Sequence, residues 1–263
     1  MKPAHSIHII GSGNVATYLI NALKNSDLFR VNQVVARRAA QARALAAQYG
    51  IAHGGGMDEL DKTADIYVIA INDDSLDNLN RLLSLPGKLV IHTSGTASAD
   101  VLSDVSAERG VLWPVYSIKK ENLPAPGEVV WAVDGSSPAA LGMTGELATA
   151  LNGKLVTPMK DAERKVAHLA AVWGNNFANH MMAVAQQLME THGLSFDIIR
   201  PLLLGGLQGV AKQMPYQLQT GPAIRGDAQT MARHWALMAQ QPELQQLYAG
   251  ISENIRHLHH QEN

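Results

Sequence analysis

Apolar runs and helical patterns alternate between Ser6 and Met159, and this alternation constrains the fold more than any other feature. The runs read SIHII, VNQVVA, IYVIAI, KLVIHT, GVLWPVYSI, EVVWAVDG and GKLVTPM. Strands that are apolar along almost their whole length are typical of a parallel sheet covered by helices on both faces. The sequence therefore predicts an α/β fold with a doubly wound, mostly parallel sheet.

The pattern changes after Pro158. From Asp161 onward the apolar residues recur with helical spacing, and the pattern is interrupted at THGLSFD, PLLLGG and QMPYQLQTGPAIRGD. A chain of 263 residues is long enough for two domains that share an interface. We predict a sheet domain over residues 1–157 and an all-helical domain over residues 158–263.

Charge and composition exclude several classes of partner. Lys and Arg total 21 against 23 for Asp and Glu, so the net charge of -2 offers no attraction to nucleic acid or to an anionic membrane. The Met1–Pro3 start leads straight into a strand without an apolar targeting segment, and no apolar run is long enough to span a membrane. With 0 cysteines, the composition fits a reducing compartment, and we predict a cytoplasmic protein.

A glycine turn follows the first apolar run. The segment GSGNVA matches a G-x-G-x-x-A fingerprint between a strand and a helix, in which the second glycine lets a pyrophosphate approach the backbone. The N–H groups at the start of the helix would then face the phosphates. A tight turn without a ligand is the alternative. The cofactor-binding residues predicted here are Gly11, Ser12, Gly13, Asn14, Val15 and Ala16.

The end of the second strand predicts which dinucleotide binds. NAD sites usually place an Asp or Glu there, but this chain reads VVARRAAQ, with Arg37 and Arg38 at that place. Guanidinium groups suit a ribose 2′-phosphate, so the pair favours NADP over NAD. The alternative is a solvated helix start, and the same pair argues against an S-adenosylmethionine site.

Two further strand ends carry polar residues. Ligands of doubly wound sheets bind at the carboxyl ends of the strands, where this chain has Asn72 and Asp73 after IYVIAI, and Thr93 and Ser94 after KLVIH. We predict cofactor contacts at all four positions, and for Ser94 also a role at the nicotinamide or the substrate. The alternatives are that an Asp caps a helix starting near Ser75 and that Thr93 and Ser94 form an ordinary turn.

A polar stripe marks the first helix of the second domain. At 3.6 residues per turn, His168, Asn175 and Asn179 fall within a narrow arc of this helix. Asparagine is a poor helix former, so a solvent-exposed helix face more commonly carries other polar residues. Histidine titrates in the range useful for proton transfer, so we predict His168 as proton donor and the two asparagines as substrate ligands. The alternative is that this helix face is only solvated. We predict no metal site in the chain.

The whole chain resembles the bacterial Rossmann-like NADP oxidoreductases whose helical second domain is similar to that of 6-phosphogluconate dehydrogenase. These are related to pyrroline-5-carboxylate reductase and to deazaflavin-dependent NADP oxidoreductase. The resemblance rests on GSGNVA, VVARR, IAINDD, HTSG, HLAAVWGNNFANH and QTGPAIRGDAQT.

The resemblance implies a nicotinamide site in the first domain, a substrate cleft between the domains and a homodimer formed by the helical domains. Related β-hydroxyacid dehydrogenases carry a catalytic Lys and, one turn later, an Asn on the corresponding helix, where this chain has His168 and Val172. This departure speaks against hydroxyacid chemistry of that type.

These observations predict an NADP(H)-dependent oxidoreductase acting on a small carbonyl, imine or hydroxy acid. Two alternatives stay open at this point. One is a non-catalytic NADP-binding sensor dimer, which would bind the nucleotide without oxidising it. The other is a dimeric scaffold that has lost nucleotide binding, which NADP would not stabilise against heat.

Overall fold

The computed structural model describes residues 5–151 and 153–260; the predictions that involve Met1–Ala4 and Gln261–Asn263 lie outside the described residues. The strands are β1 His5–Ile10, β2 Phe29–Val35, β3 Ala52–Gly54, β4 Ile66–Ile69, β5 Leu89–His92, β6 Glu108–Pro114, β7 Val130–Gly135 and β8 Leu155–Pro158. The first helices are α1 Asn14–Leu23, α2 Ala39–Tyr49, α3 Leu79–Leu82, α4 Pro138–Ala150 and α5 Asp161–Ala171. The later helices are α6 Ala178–Thr191, α7 Arg200–Val210, α8 Pro222–Arg225, α9 Ala228–Leu237 and α10 Pro242–His260.

The strands form one sheet in the order β3-β2-β1-β4-β5-β6-β7-β8. Neighbouring strands are parallel except for β6 and β7, which pair antiparallel. The chain order reverses direction between β1 and β4, and a crevice forms at the carboxyl ends of strands at such a point. The predicted fold class, a doubly wound and mostly parallel sheet followed by helices, is confirmed.

Buried apolar side chains cover both faces of the sheet. One cluster joins Ile7 and Ile9 of β1 to Leu19 of α1 and Leu147 of α4. A second cluster lies on the opposite face and includes Ile10 and Tyr67. Successive residues of a strand point to opposite faces, so Ile9 and Ile10 belong to different clusters. Burial on both faces is the reason that the strands read as continuous apolar runs.

The chain divides into two compact units, the first ending at Asn179 and the second starting at His180. Helix α5 therefore belongs to the first unit, together with the sheet. The domain boundary predicted at residue 157 lies where the last strand ends, and it stays a prediction. Among the described residues, no helix combines the length and the apolar composition needed to cross a lipid bilayer.

The second unit has very little core of its own. Ala223 and Met238 are its buried apolar residues among the positions described. Helix α7 runs through PLLLGG, where we predicted an interruption, because the two glycines lie inside the helix instead of ending it. Leu202, Leu204 and Leu207 of this helix are exposed, and Leu202 has 75% of its surface exposed.

Candidate functional site

The glycine turn has the geometry that a phosphate site needs. Gly11 has a φ of +125°, and a side chain there would overlap the carbonyl oxygen of Ala70. Its N–H donates to the carbonyl of Val35 at 2.8 Å, which ties the turn to β2. Gly13 caps α1 in an extended conformation with φ of -86°, and nothing lies within 4 Å of a Cβ placed there. The backbone conformation and the contact with Ala70 therefore require glycine at position 11. At position 13 the missing side chain leaves open space beside the turn.

This open space belongs to a cavity of about 1150 Å³ in the first unit. Its wall contains six of the predicted cofactor residues, which come from the ends of β1, β2 and β4: Gly11, Ser12, Gly13, Arg37, Arg38 and Asn72. The volume is ample for an extended ligand. The structure thus brings the glycine turn and the arginine pair to one cavity, as the sequence predicted.

The other predicted cofactor residues are not part of this wall. Asn14 accepts a hydrogen bond from the Lys120 N–H at 3.3 Å, and Val15 packs against the core. Ala16 is fully buried, in agreement with a close contact between helix and sheet. Their roles in cofactor binding stay predictions.

Several residues of the wall were missed by the sequence analysis: Gln41, Asp58, Lys62, Ser75, Asn78 and Arg81. The rule that ligands gather after the carboxyl ends of strands could have found Ser75, which follows β4 closely. It could not have found Asp58, because β3 has only three residues and leaves no readable pattern. The Oγ of Ser12 donates to Oε1 of Gln41 at 3.4 Å and so connects the turn to α2.

Arg37 and Arg38 are exposed at the start of α2, and neither forms an ion pair or a hydrogen bond through its side chain with a described residue. No acid precedes them at the end of β2. Guanidinium groups that are free in this way can form paired hydrogen bonds with a phosphate. The residues present therefore fit a 2′-phosphorylated dinucleotide.

Asp73 does not cap the following helix, contrary to the alternative that the sequence suggested. Its Oδ2 accepts hydrogen bonds from the Ser94 Oγ at 2.6 Å and from the Thr96 Oγ1 at 2.5 Å. The Oγ of Ser94 in turn accepts from the N–H groups of Thr96 and Ala97. Asp73 thus joins the end of β4 to the loop after β5. The hydroxyl of Ser94, predicted to be catalytic, is used within this loop, and Thr93 hydrogen-bonds to Ile69.

The side chain of His92 hydrogen-bonds to the same loop. It is fully buried, and its Nδ1 accepts the N–H of Ser94 at 3.2 Å. Because Nδ1 is the acceptor, Nε2 carries the proton and donates to the carbonyl of Ser98 at 3.1 Å. Burial, and secondarily the positive charge of Arg164, lowers the pKa of His92 to about 4. The histidine is therefore neutral at physiological pH.

Gly95 forms the contact between this loop and α5. A Cβ on Gly95 would lie 2.5 Å from Cδ2 of His168 and 2.8 Å from the ring of Trp113. The rings of His168 and Trp113 lie 5.6 Å apart at 49°. Within the described part of the chain, neither ring nitrogen of His168 has a hydrogen-bond partner. Packing thus fixes the imidazole and leaves both nitrogens available to a ligand.

Arg164 fastens α5 to the loop. Its side chain is fully buried, and its NH2 group donates to the carbonyl of Ala97 at 2.6 Å and to the carboxylate of Asp161. Its NH1 group donates to the carbonyl of Met159 and lies 3.8 Å from Asp134. A buried guanidinium needs several such partners, because an uncompensated buried charge is costly. This anchor holds His168, one turn further along α5, over Gly95.

A π-helical segment, Val172–Phe177, separates α5 from α6. Each hydrogen bond there spans five residues instead of four, so the segment holds about one residue more than an α-helical stretch. The predicted alignment of His168, Asn175 and Asn179 assumed an uninterrupted α-helix and was wrong in this respect. The positions of Asn175 and Asn179 relative to His168 therefore do not follow from α-helical spacing alone. The catalytic roles of Asn175 and Asn179 stay predictions.

The chain matches two family models in sequence. Residues 6–95 match the family described as NADP oxidoreductase, coenzyme F420-dependent, and residues 129–255 match a domain of unknown function. The crystal structure of a Bacteroides fragilis protein assigned as an NADP oxidoreductase is 30% identical, with a TM-score of 0.88, covering 97% of this chain and 99% of that one. The chain belongs to this family of NADP oxidoreductases.

More distant structures share the fold of the family. Pyrroline-5-carboxylate reductase from Streptococcus pyogenes is 11% identical, covers 97% of this chain and 99% of that one, and has a TM-score of 0.63. An imine reductase from Myxococcus stipitatus in complex with NADP+ is 17% identical, covers 97% and 93%, and has a TM-score of 0.60. A comparison with curated proteins found no match.

Family membership confirms the resemblance and the prediction of an NADP-dependent oxidoreductase. The arginine pair after β2 is the local feature that agrees with this cofactor. Within residues 5–151 and 153–260, no group of three or more His, Asp or Glu side chains is arranged to hold a metal ion.

Proposed function

We propose that this oxidoreductase uses NADP(H) to transfer a hydride to or from a small carbonyl, imine or hydroxy acid, with His168 as the proton donor or acceptor. The observation that carries the proposal is the shared cavity: Gly13 opens onto it, and Arg37 and Arg38 line it without other partners. When bound, the nicotinamide supplies the hydride. Gly11 and Gly13 hold the diphosphate, and the two arginines hold the 2′-phosphate.

His168 would move the proton. A carbonyl or imine that accepts hydride gains negative charge or basicity, and a donor in hydrogen-bond reach contributes on the order of 10²–10⁴ in rate. The free ring nitrogens of His168 and its fixed position over Gly95 support this role. Asn175, Asn179 and Ser94 are the further catalytic residues that the sequence predicts. The substrate cleft between the domains and the cytoplasmic location also stay predictions.

The cofactor site is tested with two glycine variants. Gly13→Ala leaves the fold intact, since nothing lies within 4 Å of its new methyl group, but it occupies the space for the diphosphate. We expect NADP+ affinity, measured by calorimetry, to fall by about 10-fold or more while the melting temperature stays within about 2 °C. Gly142→Ala, in α4 and equally free of neighbours, is the control. Unchanged affinity in Gly13→Ala would contradict the proposed site.

The proton donor is tested with His168→Ala. NADP+ affinity should stay at the wild-type value, and NADPH oxidation across a panel of small ketones and imines should fall by about 100-fold or more. Equal turnover would exclude His168 as the donor. A wild-type protein that binds NADP+ tightly but turns over no member of the panel would favour the sensor function instead.

We also propose that two copies of the chain pair through the second unit. Four large side chains of α7 are more than half exposed: Leu202, Leu204, Leu207 and Val210. A helical unit with so few buried side chains lacks the apolar burial that folding needs, and a second copy can supply it. Sedimentation at micromolar concentration should show a dimer, and Leu202→Glu should shift it towards the monomer. A monomeric wild type would refute the pairing.

A further inference from the structure

The loop after β3 forms one side of the predicted adenosine subsite. Strands β2 and β3 are parallel, with Val35 opposite Gly54, so both end at the same edge of the sheet. The Ala36 N–H donates to the carbonyl of Gly54 at 3.2 Å. A Cβ on Gly55 would lie 2.9 Å from that of Ala39, the first residue of α2. The glycine loop therefore runs directly against the segment that follows β2, where dinucleotide-binding folds recognise the adenosine ribose.

Asp58 brings a carboxylate to this place. It lines the same cavity as Arg37 and Arg38. Its Oδ1 would lie 2.5 Å from a Cβ on Gly56, so the absence of a side chain there lets the carboxylate fold back over the loop. The neighbouring acid, Glu59, is occupied, because its Oε2 accepts the Gly55 N–H at 3.0 Å. Within the described residues Asp58 has neither an ion pair nor a hydrogen-bond partner for its side chain.

The two kinds of charged group in this cavity favour different nucleotides. A carboxylate accepts hydrogen bonds from ribose hydroxyl groups, which is the role that an acid at the end of β2 has in NAD sites. The same carboxylate repels a 2′-phosphate, which the arginines attract. Asp58 replaces the missing acid in space, although it comes from a different loop and follows Arg38 by 20 positions in the sequence.

We propose that Asp58 is the acidic group that recognises the adenosine ribose in this chain and that it allows NAD to bind as a second, weaker cofactor. The inference rests on the proposed dinucleotide site and deepens it. In the NAD complex the carboxylate accepts from the 2′-hydroxyl group. In the NADP complex it opposes the attraction of the arginine pair and so limits the preference for NADP.

Calorimetric titrations with NADP+ and with NAD+, in one buffer at one ionic strength, test the proposal. Asp58→Asn keeps the size and removes the charge. We expect NAD+ affinity to fall by about 10-fold, as for the loss of one charge-assisted hydrogen bond, and NADP+ affinity to rise by about 3-fold. Asp104→Asn, an exposed acid outside the cavity wall, is the control and should change neither.

The outcomes separate the two proposals. If the wild type binds NADP+ but no NAD+ at millimolar concentration, or if Asp58→Asn leaves the ratio of the two affinities unchanged, the role of Asp58 is refuted and the NADP site stands. An equal loss of affinity for both nucleotides would show that Asp58 only shapes the loop, which also refutes the proposal. If the wild type binds neither nucleotide, the proposed cofactor site fails as well.

Discussion

The buried His92 predicts a loss of stability in mild acid. The pKa falls from the 6.5 of an exposed histidine to about 4, mainly through burial. The groups that act on the ring by charge or hydrogen bonding are Arg164, which lowers the pKa, and the Ser98 carbonyl, Asp73 and Asp161, which raise it. Protonation would also break the hydrogen bond from the Ser94 N–H to Nδ1.

The sign and the size follow from linkage. Between pH 6.5 and about 4 the unfolded chain binds a proton at this position and the folded chain does not, so stability rises with pH. The contribution is fully present above pH 6.5 and is lost as the pH falls through 4. With about 1.4 kcal/mol for each pKa unit, the complete loss is about 3 kcal/mol, of which about 2.5 kcal/mol is reached at pH 4.5.

Urea unfolding at several pH values measures this effect by tryptophan fluorescence, to which the buried Trp113 and Trp131 of the first unit contribute. His92→Gln keeps an N–H that can donate to Ser98 but does not titrate. We expect wild type to be the more stable protein at pH 7 and to lose about 2.5 kcal/mol of that advantage by pH 4.5. His53→Gln, at an exposed position, should follow the wild-type curve. A difference between wild type and His92→Gln that is constant across pH would refute the reasoning.

Two other substitutions test the packing around the site and the sheet. Gly95→Ala places a methyl group against His168 and Trp113, so we expect a loss of about 1–3 kcal/mol in urea unfolding, together with lower turnover; wild-type stability would show that the two rings can move aside. Ser137→Ala removes the cap of α4, where the Oγ accepts the Ala140 N–H at 3.1 Å, and should cost about 1 kcal/mol, whereas Ser103→Ala, exposed and without a side-chain hydrogen bond, should cost little. Equal effects of the two serine substitutions would contradict the capping role.

The glycine turn and the arginine pair lie in the fold where the sequence places them, and both depend on short stretches of chain. The turn at Gly11 needs a left-handed φ and a close approach to Ala70, and only glycine satisfies both. The arginine pair directly follows a strand, so its place at the sheet edge follows from the strand pattern. The continuous apolar strands likewise report burial on both faces.

The contacts of Asp73 and the position of Asp58 could not be predicted from short stretches of sequence. Both were readable as ordinary helix caps or turn residues, because local propensity cannot show which distant group a carboxylate meets. Asp73 finds its partners 21 and 23 residues later in the sequence, at Ser94 and Thr96. Asp58 lines the cavity from the loop after β3, and this strand has only three residues, too few to show a periodic pattern in the sequence.

By itself, the sequence determined the doubly wound sheet, the tight glycine turn after its first strand and the NADP cofactor, since each follows from backbone conformation, hydrophobic pattern or charge within a few neighbouring residues. Only the tertiary structure decided that His168 packs against Gly95 and that a π-helical segment interrupts the helix after Ala171. The physical reason is that side-chain packing and helix register depend on contacts between segments far apart in the chain. A local sequence pattern does not show which distant segments come into contact.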